Sequence, residues 1–568
     1  MRYIRRITGE LNLRVDRLGR EVPGGAIPCA VIPVVAALVA YAGTFDHEFA
    51  FDDVRLIPDN PLICGGRDVT DVWRSNYWEG SDVGGERGAH WVGSAYRPVT
   101  ILSHALICRL AGPGAFWPHA VNLALHVLNA LLLFALLTRL MAAGGKSSSR
   151  AAAVAATLFA IHPLNSEVVF LAVGRSDLLA TAAVLGVALL AASPVVHRRP
   201  VVTMAGVFLL TGLGMLSKEN VVAAPVLGAL AYWCGHPAAS RKWVRFMVVA
   251  VLPAVLAIVL YVGVRSLVLG AAYDATKYSL LDNPLATADY SVRLATGLGV
   301  LAVYLWRFVA PNDLSADYSF AQVPPIQEMA DPQLAVGVVV LLFLVGAGVA
   351  SIRRVPLATL GIGWFLFTWV PVSNIPFPIG TIMAERLCYL PCIGLVVALV
   401  ALWRHWRTRA VVKGGDAAVA LFLVAVLTVV TVIRGKDYAD NCTLFQASAM
   451  SSPNSAKAHF GHGVCLLDDL ERQGEAIAAF DKALKLYPDY EAATIQLAQL
   501  LERTGHPGDG IVYLKSFLAS HPKAFNTALS LAKMLARQGR PDKARRLLQE
   551  LDRRRPGDTR VKAALSHL

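Results

Sequence analysis

Long apolar segments separated by short basic loops make up most of residues 26–434. We interpret eleven of these segments as transmembrane helices, because runs of such length without charge are typical of membrane spans. The predicted spans cover residues 26–43, 118–140, 151–170, 178–195, 201–216, 221–234, 246–269, 334–350, 357–372, 387–403 and 417–432.

One further apolar segment, residues 292–310, contains Arg293 and Arg307. If it crossed the membrane, the loops at Arg353 and Arg404 would move to the outer side, against the preference of cationic loops for the cytoplasm. We therefore predict an interfacial or re-entrant helix here. Eleven crossings then place the C-terminus outside.

The last part of the chain has a different pattern, with an internal period. Pro488, Pro522 and Pro556 are spaced 34 residues apart, with small and large apolar positions recurring before them. This period is typical of tetratricopeptide repeats, helical hairpins that bury their apolar faces by stacking. An unrelated helical bundle is the alternative. We place clear repeats at about 457–490, 491–524 and 525–558.

The predicted fold class is therefore all-α, with a polytopic membrane bundle of about eleven spans followed by a soluble tetratricopeptide-repeat solenoid. We divide the chain into a basic cytoplasmic N-terminus (1–25), a multispanning domain (26–434) with an outer loop at 44–100, and an extracytoplasmic repeat domain (435–568).

Composition supports this division. The mean hydropathy is +0.51 and only 16% of residues are charged, which excludes an ordinary soluble protein. The net charge of +13 could indicate nucleic-acid binding. However, twenty Lys and Arg residues, against three acids, lie in the loops of one face, which is the positive-inside pattern of a membrane protein. The basic charge therefore indicates topology.

The eight cysteines show no spacing typical of metal ligands. Cys388 and Cys392 lie close together in an apolar run, where we expect buried thiols. We predict no metal site, and the sequence leaves open whether a metal assists the reaction.

Charged residues that lie near membrane spans are costly and usually functional. Six short motifs at the predicted outer ends of the spans carry such residues, so we expect one polar site that opens outward. The motifs are FAFDD with Asp52 and Asp53, YRPVT with Arg97, HPLNSE with His162 and Glu167, GRSD with Arg175 and Asp177, SKEN with Lys218 and Glu219, and AER with Glu385 and Arg386.

Simpler interpretations exist for each motif taken alone. Asp52–Asp53 could solvate the start of a loop, and Arg175 and Asp177 could form a structural ion pair. Lys218–Glu219 could be a hairpin turn, and Arg97 could extend to lipid headgroups. The convergence of six motifs on one face favours a functional site.

Carboxylates and cations together suit group transfer from a phosphate-activated donor. A carboxylate can take the proton of an attacking hydroxyl, while Arg or Lys neutralises the departing phosphate. A cytoplasmic nucleotide sugar could not reach an outward-facing site, whereas a lipid-phosphate sugar in the membrane could.

Several segments resemble the transmembrane and tetratricopeptide-repeat (TMTC-like) O-mannosyltransferases of the glycosyltransferase C (GT-C) superfamily, over roughly residues 40 to 568. They are FAFDDVRLIPDNP, YRPVTILSHAL, HAVNLALHVLNALL, LFAIHPLNSEVVFLAVGRSDLLA, LSKEN, APNDLSADYSF and PVSNIPFPIGTIMAERLCYLP. The resemblance implies a polyprenyl- or dolichyl-phosphate mannose donor and a Ser or Thr hydroxyl acceptor in a protein, with no cofactor.

The resemblance also assigns roles to the charged residues. It implies that Asp52 and Asp53 form the catalytic centre, without saying which of them is the base. We expect Arg97, Arg175 and Arg386 to bind the donor phosphate. The remaining candidates would shape the site: His162, Glu167, Asp177, Lys218, Glu219 and Glu385.

Two other classes of function were weighed. A non-enzymatic scaffold that presents the repeats to partner proteins would not need six charged motifs, and a transporter would carry charges at the centres of its spans. We therefore predict an inverting protein O-glycosyltransferase in the lipid bilayer, either of a bacterial plasma membrane or of the endoplasmic reticulum. The sequence does not identify the sugar, the acceptor protein or the oligomeric state.

Overall fold

The computed structural model describes residues 26–80, 95–142, 148–270, 278–407 and 416–568. These residues form helices and connecting turns, with no strand among them, which confirms the all-α prediction. The predicted cytoplasmic N-terminus, residues 1–25, lies outside the described residues, as does part of the predicted outer loop.

The membrane domain contains seventeen of the described helices, α1 to α17. In chain order they are Ala26–Tyr41, Asp52–Leu56, Pro98–Ala111, Phe116–Ala142, Ser148–Ile161, Ser166–Phe170, Arg175–Ala192, Val195–Arg198, Pro200–Met215, Ala224–Gly235, Trp243–Phe246, Leu252–Leu269, Tyr290–Val309, Pro332–Ser351, Pro356–Trp369, Tyr389–Arg407 and Asp416–Lys436. The repeat domain follows with α18 to α25, which are Asn441–Ser451, Ala456–Cys465, Gln473–Leu486, Glu491–Arg503, Pro507–Ser520, Phe525–Arg537, Pro541–Arg554 and Thr559–Ser566.

One end of the helical bundle contacts the repeat domain, and we call it the repeat end. There the backbone N–H of Glu48 donates to the carbonyl of Ala439 over 2.8 Å, and that of Ala321 donates to the carbonyl of Asn454 over 2.7 Å. The opposite end carries basic side chains that form hydrogen bonds to the ends of neighbouring helices. For example, Nε of Arg139 donates to the carbonyl of Ala192 over 3.1 Å.

Eight helices among the described residues are long and apolar enough to cross a membrane, or nine if the bent pair Ser149–Ile161 and Pro163–Phe170 is one span. The predicted count of eleven is higher because it includes three helices that are shorter than this criterion, at 201–216, 221–234 and 357–372. They are present as α9, α10 and α15. Seven of the long helices coincide with predicted spans.

The eighth long helix is α13, which we predicted to be interfacial. At its middle, a side chain on Gly297 would come within 2.8 Å of the carbonyl of Ser373, which follows α15 at the repeat end. At its end, the ring of Phe308 stacks on His162, which follows α5 at the same end. Although its length and composition suffice for a crossing, these contacts favour a helix that runs along the repeat end.

Two glycines bring α15 and α16 into direct backbone contact. A Cβ atom on Gly361 would lie 2.6 Å from the carbonyl oxygen of Gly394, and one on Gly394 would lie 2.5 Å from the backbone nitrogen of Phe365. Small residues of this kind allow membrane helices to pack closely. The packing fixes the start of α16, and Glu385 and Arg386 lie in the short 3₁₀ helix directly before it.

The predicted helical hairpins are confirmed in the repeat domain. The helix pairs α19–α20, α21–α22 and α23–α24 fall within the predicted repeats. The recurring apolar positions that defined the period, including Phe480 and Leu548, are buried. A helix that the sequence analysis did not predict, α18, precedes the first repeat.

Four cysteines form two disulfide bonds, Cys64–Cys108 and Cys442–Cys465. The sequence analysis drew nothing from these cysteines, since the partners lie far apart in the chain. The thiols of Cys388 and Cys392 are free and buried, as predicted. Cys64–Cys108 joins the outer loop to α3 and Cys442–Cys465 joins α18 to α19, both at the repeat end.

Candidate functional site

The aspartate pair forms the first two residues of α2, directly after a tight turn at Phe51. Asp53 is fully buried, and its two carboxylate oxygens accept hydrogen bonds of 2.7 Å from the backbone N–H groups of Ala172 and Val173. Burial raises the pKa of Asp53 to about 7, and the two backbone hydrogen bonds act in the opposite direction. Asp53 therefore fastens the turn to the segment that leads into α7.

Asp52 is placed differently, although it is the next residue. Its side chain is partly exposed and accepts no hydrogen bond from the described residues. Its charge acts on Arg386 and on Lys457, from opposite sides of the turn. The structure thus separates the two carboxylates: Asp53 is engaged in holding the loop, and Asp52 is available to react.

Three ion pairs bring six of the predicted residues together at the repeat end. Arg97 binds Glu219 at 2.8 Å, Lys218 binds Asp177 at 2.5 Å, and Arg386 binds Glu167 through both its guanidinium and its backbone N–H. Since each pair joins segments from different parts of the chain, the predicted convergence of the motifs is present in the fold.

The three cations of these pairs form one cluster, in which each cation is paired with a carboxylate. Lys218 lies within electrostatic range of both Arg97 and Arg386. Burial lowers the pKa of Lys218, although the charge of Asp177 acts to raise it. Burial acts to raise the pKa of Glu219, but the charge and hydrogen bond of Arg97, a backbone hydrogen bond and the charge of Lys218 together outweigh burial, so the pKa is lowered. Such a cluster, with each charge held in place, suits a phosphate group.

Tyr77 is a member of the site that the sequence analysis missed. Its ring is buried beneath the guanidinium of Arg97, which lies 5.1 Å from the ring centroid. Burial raises the pKa of its phenol, as do the charges of Asp52, Asp53 and Asp177, so the hydroxyl stays protonated. No charge or motif marked this tyrosine, because it belongs to the outer loop and joins the site only through folding.

Arg175 does not take the position that was predicted for it. The guanidinium is fully buried, with Nε donating to Asn122 over 2.9 Å and Nη2 donating to the carbonyl of Pro118 over 2.6 Å. It ties the start of α4 to the start of α7. Because it exposes no surface, this geometry does not favour it as a ligand of the donor phosphate.

His162 also has a local role. Its ring stacks on Phe308 with centroids 4.7 Å apart, Nε2 lies 3.0 Å from the carbonyl of Phe308, and Nδ1 accepts from the N–H of Leu164. These contacts use both ring nitrogens and join the bend between α5 and α6 to the end of α13.

Glu385 holds a loop beside the site. Its carboxylate accepts from the N–H of Ser315 over 2.6 Å and from the hydroxyl of Tyr318 over 2.8 Å, and it lies 3.7 Å from Arg434. These contacts fix Glu385 in place. Because Arg386 is the next residue, they also restrict the backbone that carries this cation.

The chemistry of the arrangement follows from these positions. The charge of Asp52, a carboxylate with unoccupied oxygens, acts on Arg386, and Arg386 in turn lies within electrostatic range of Lys218. The carboxylate can accept a proton and the cations can neutralise a phosphate. Among the described residues, no three His, Cys, Asp or Glu side chains are grouped so that they could hold a metal ion.

Comparison with known proteins finds similarities in both the membrane domain and the repeat domain. Residues 273–345 match the family model described as protein O-mannosyl-transferase TMTC, DUF1736. Residues 443–491 and 505–568 match two models described as tetratricopeptide repeat. The first match includes α13, and the others cover the α19–α20 and α23–α24 hairpins together with α22.

Several curated relatives align with most of the chain. Protein O-mannosyl-transferase F38B6.6 of Caenorhabditis elegans is 26% identical over 469 residues, which cover 81% of this chain and 63% of the relative. Human protein O-mannosyl-transferase TMTC4 is 25% identical over 506 residues, covering 76% and 63%. Human protein O-mannosyl-transferase TMTC3 is 23% identical over 567 residues, covering 93% and 60%.

The chain thus spans somewhat less than two thirds of the length of these relatives. The similarity extends through both the membrane domain and the repeats, in the same order. Its match to the TMTC model, its apolar helices and its tetratricopeptide repeats make the chain similar to these relatives, which are named protein O-mannosyl-transferases.

Proposed function

We propose that the protein is a membrane glycosyltransferase that moves a mannosyl group from a polyprenyl- or dolichyl-phosphate donor to Ser or Thr hydroxyls of proteins. The observation that carries the proposal is the unengaged carboxylate of Asp52, whose charge acts on Arg386, a member of the cluster with Arg97 and Lys218. The names of the relatives, which are protein O-mannosyl-transferases, support the choice of sugar and acceptor.

The reaction would proceed by direct displacement with inversion. Asp52 takes the proton of the acceptor hydroxyl as its oxygen bonds to the anomeric carbon of the sugar. The bond between that carbon and the phosphate oxygen breaks on the opposite face, and its electron pair leaves with the lipid phosphate. Arg97, Lys218 and Arg386 neutralise the charge that develops there.

We place this reaction on the outer side of the membrane, which is periplasmic or extracellular in a bacterium and lumenal in the endoplasmic reticulum. Both disulfides lie at the repeat end, and structural disulfides persist in oxidising compartments. The basic loops, such as the one with Arg404, lie at the opposite end, where Arg404 contacts Met141. Two independent features therefore support the same orientation.

The orientation predicts which engineered thiols are accessible in sealed, right-side-out vesicles. Leu470→Cys, at an 80% exposed position between α19 and α20, should react with a membrane-impermeant maleimide. Trp406→Cys, 71% exposed at the opposite end, should react only after permeabilisation. Both variants would be made with Cys29 and Cys234 replaced by Ser. The reverse labelling pattern would contradict the proposed side.

The activity itself predicts sugar transfer by the purified protein in lipid nanodiscs. With polyprenyl-phosphate mannose and a Ser/Thr-rich peptide, mass spectrometry should detect peptide that carries one added hexose. A nucleotide-activated mannose should not serve as donor, because we propose a site that receives a lipid-linked donor with one phosphate from the bilayer. Transfer from the nucleotide donor, or none from any lipid donor, would contradict the proposal and leave a scaffold function.

A further inference from the structure

The turn that carries Asp52 has an unusual residue at its tightest position. Phe51 has φ 56° and ψ −123°, and the N–H of Asp53 donates to the carbonyl of Ala50 over 3.1 Å. These values are those of the first central residue of a type II′ turn, a position that glycine normally occupies. A phenylalanine there costs on the order of 1–3 kcal/mol, so its surroundings must hold it in place.

The contacts that hold Phe51 come largely from the repeat domain. Its N–H donates to the side-chain carbonyl of Asn441 over 2.9 Å, and its ring packs against Phe445 with centroids 5.8 Å apart. The ammonium of Lys457 lies 5.3 Å from the same ring centroid. Asn441 and Phe445 belong to α18, and Lys457 belongs to α19.

Lys457 is itself fixed by the membrane domain. Its Nζ binds the carboxylate of Asp282 at 2.8 Å, and it senses the charges of Asp317 and Asp52. The hydroxyl of Ser455, which caps the start of α19, donates to Asp317. The first helix of the repeats is thus locked against the loops on both sides of α13.

A covalent bond joins the two helices that contact the turn. The Cys442–Cys465 disulfide connects the start of α18 with the end of α19. Cys442 is the neighbour of Asn441, so the disulfide holds the acceptor of the Phe51 hydrogen bond and the helix of Lys457 in one unit. The disulfide therefore holds the two helices that contact the turn in a fixed position relative to each other.

We propose that α18 and α19 complete the active site, with Asn441 and Lys457 as positioning residues that hold the strained Phe51 turn and thereby fix the carboxylate of Asp52. The consequence for the reaction rate rests on the proposed function, in which Asp52 is the base. The positioning of the turn itself does not rest on the proposed function.

The test compares three variants of the full-length protein in nanodiscs. Lys457→Met keeps the length of the side chain and removes its charge, and Lys457→Arg keeps the charge. Lys515→Met, at an exposed site on α22, is the matched control. Hydrogen exchange of the amides of residues 48–56 should become faster in Lys457→Met and remain as in the native protein in the other two.

The kinetic measurement separates positioning from substrate binding. In Lys457→Met we expect kcat to fall by about ten- to a hundredfold with unchanged KM for donor and peptide, because small displacements of a reacting group have effects of this size. Lys457→Arg should restore most of the rate. A raised KM with unchanged kcat, or loss of activity in Lys457→Arg equal to that in Lys457→Met, would overturn the proposal.

A second variant tests the strain directly. Phe51→Gly adopts the turn without strain, so adding Lys457→Met to it should change the exchange of residues 48–56 much less than Lys457→Met does alone. Equal effects in both backgrounds would overturn the positioning role. If the exchange results hold while the native protein transfers no sugar, the proposed function fails and the positioning of the turn stands.

Discussion

Asp52→Asn should lower the rate of sugar transfer by about 10²- to 10⁴-fold, the range over which general bases contribute. The substitution keeps the size of the side chain and removes its ability to take a proton. Because Asp52 accepts no hydrogen bond from the described residues, thermal unfolding in detergent should be nearly unchanged. Radioactive transfer to a peptide and a melting curve on the same preparation measure both quantities.

Asp53→Asn is the matched control, and it should have the opposite profile. The amide offers only one acceptor oxygen, so its NH₂ group would face the N–H of Ala172 or of Val173. Leaving such a buried donor unpaired costs about 1–3 kcal/mol. The assignment of the two residues would be reversed if the Asp52→Asn protein kept full activity and the Asp53→Asn protein lost activity at unchanged stability.

Lys218→Met should produce the largest loss of stability among the site variants. It leaves the carboxylate of Asp177 buried without its partner, and breaking a buried pair in this way costs about 3–5 kcal/mol. The expected result is a marked fall in Tm of the membrane domain in detergent, together with loss of transfer.

The double variant Lys218→Met, Asp177→Leu distinguishes the structural from the chemical role of the pair. Removing both charges eliminates the unpaired carboxylate, so most of the stability should return. The transfer rate should stay low, because the donor phosphate has lost one of its three cations. Recovery of both stability and rate would show that Lys218 does not contact the phosphate.

The architecture could be read from the sequence because it depends on local patterns. Apolar runs indicated the spans, and the 34-residue spacing of Pro488, Pro522 and Pro556 indicated the hairpins. The convergence of the charged motifs could also be inferred, because alternate ends of successive spans meet on one face. That convergence also makes ion pairs such as Arg97–Glu219 and Lys218–Asp177 expected.

What escaped prediction depends on contacts between distant segments. The roles of Asp52 and Asp53 differ because only Asp53 accepts hydrogen bonds from the backbone N–H groups that precede α7. Arg175 belongs to a charged motif, yet its guanidinium turns inward to Asn122. No local pattern distinguishes such a buried arginine from one that faces a substrate.

The disulfides and the Lys457 contact show the same limit. Cys64 and Cys108 are 44 residues apart, and nothing in their spacing indicates a pair. Lys457 lies in an ordinary repeat sequence, and its partners Asp282 and Phe51 are in two other outer segments. These pairings exist only once the loops of the repeat end have come together.

The hydrogen bond between Phe51 and Asn441 joins positions 390 residues apart. On the proposed orientation, a ribosome that has just finished the last membrane helix has already released the Asp52 turn to the outer side, but it has not yet delivered the helices that hold the turn. If α18 and α19 position the turn as proposed above, a nascent chain would remain inactive until these helices have been translocated and Cys442 has formed its disulfide with Cys465. The order of synthesis would then act as a safeguard against premature glycosylation of other chains that emerge at the same membrane.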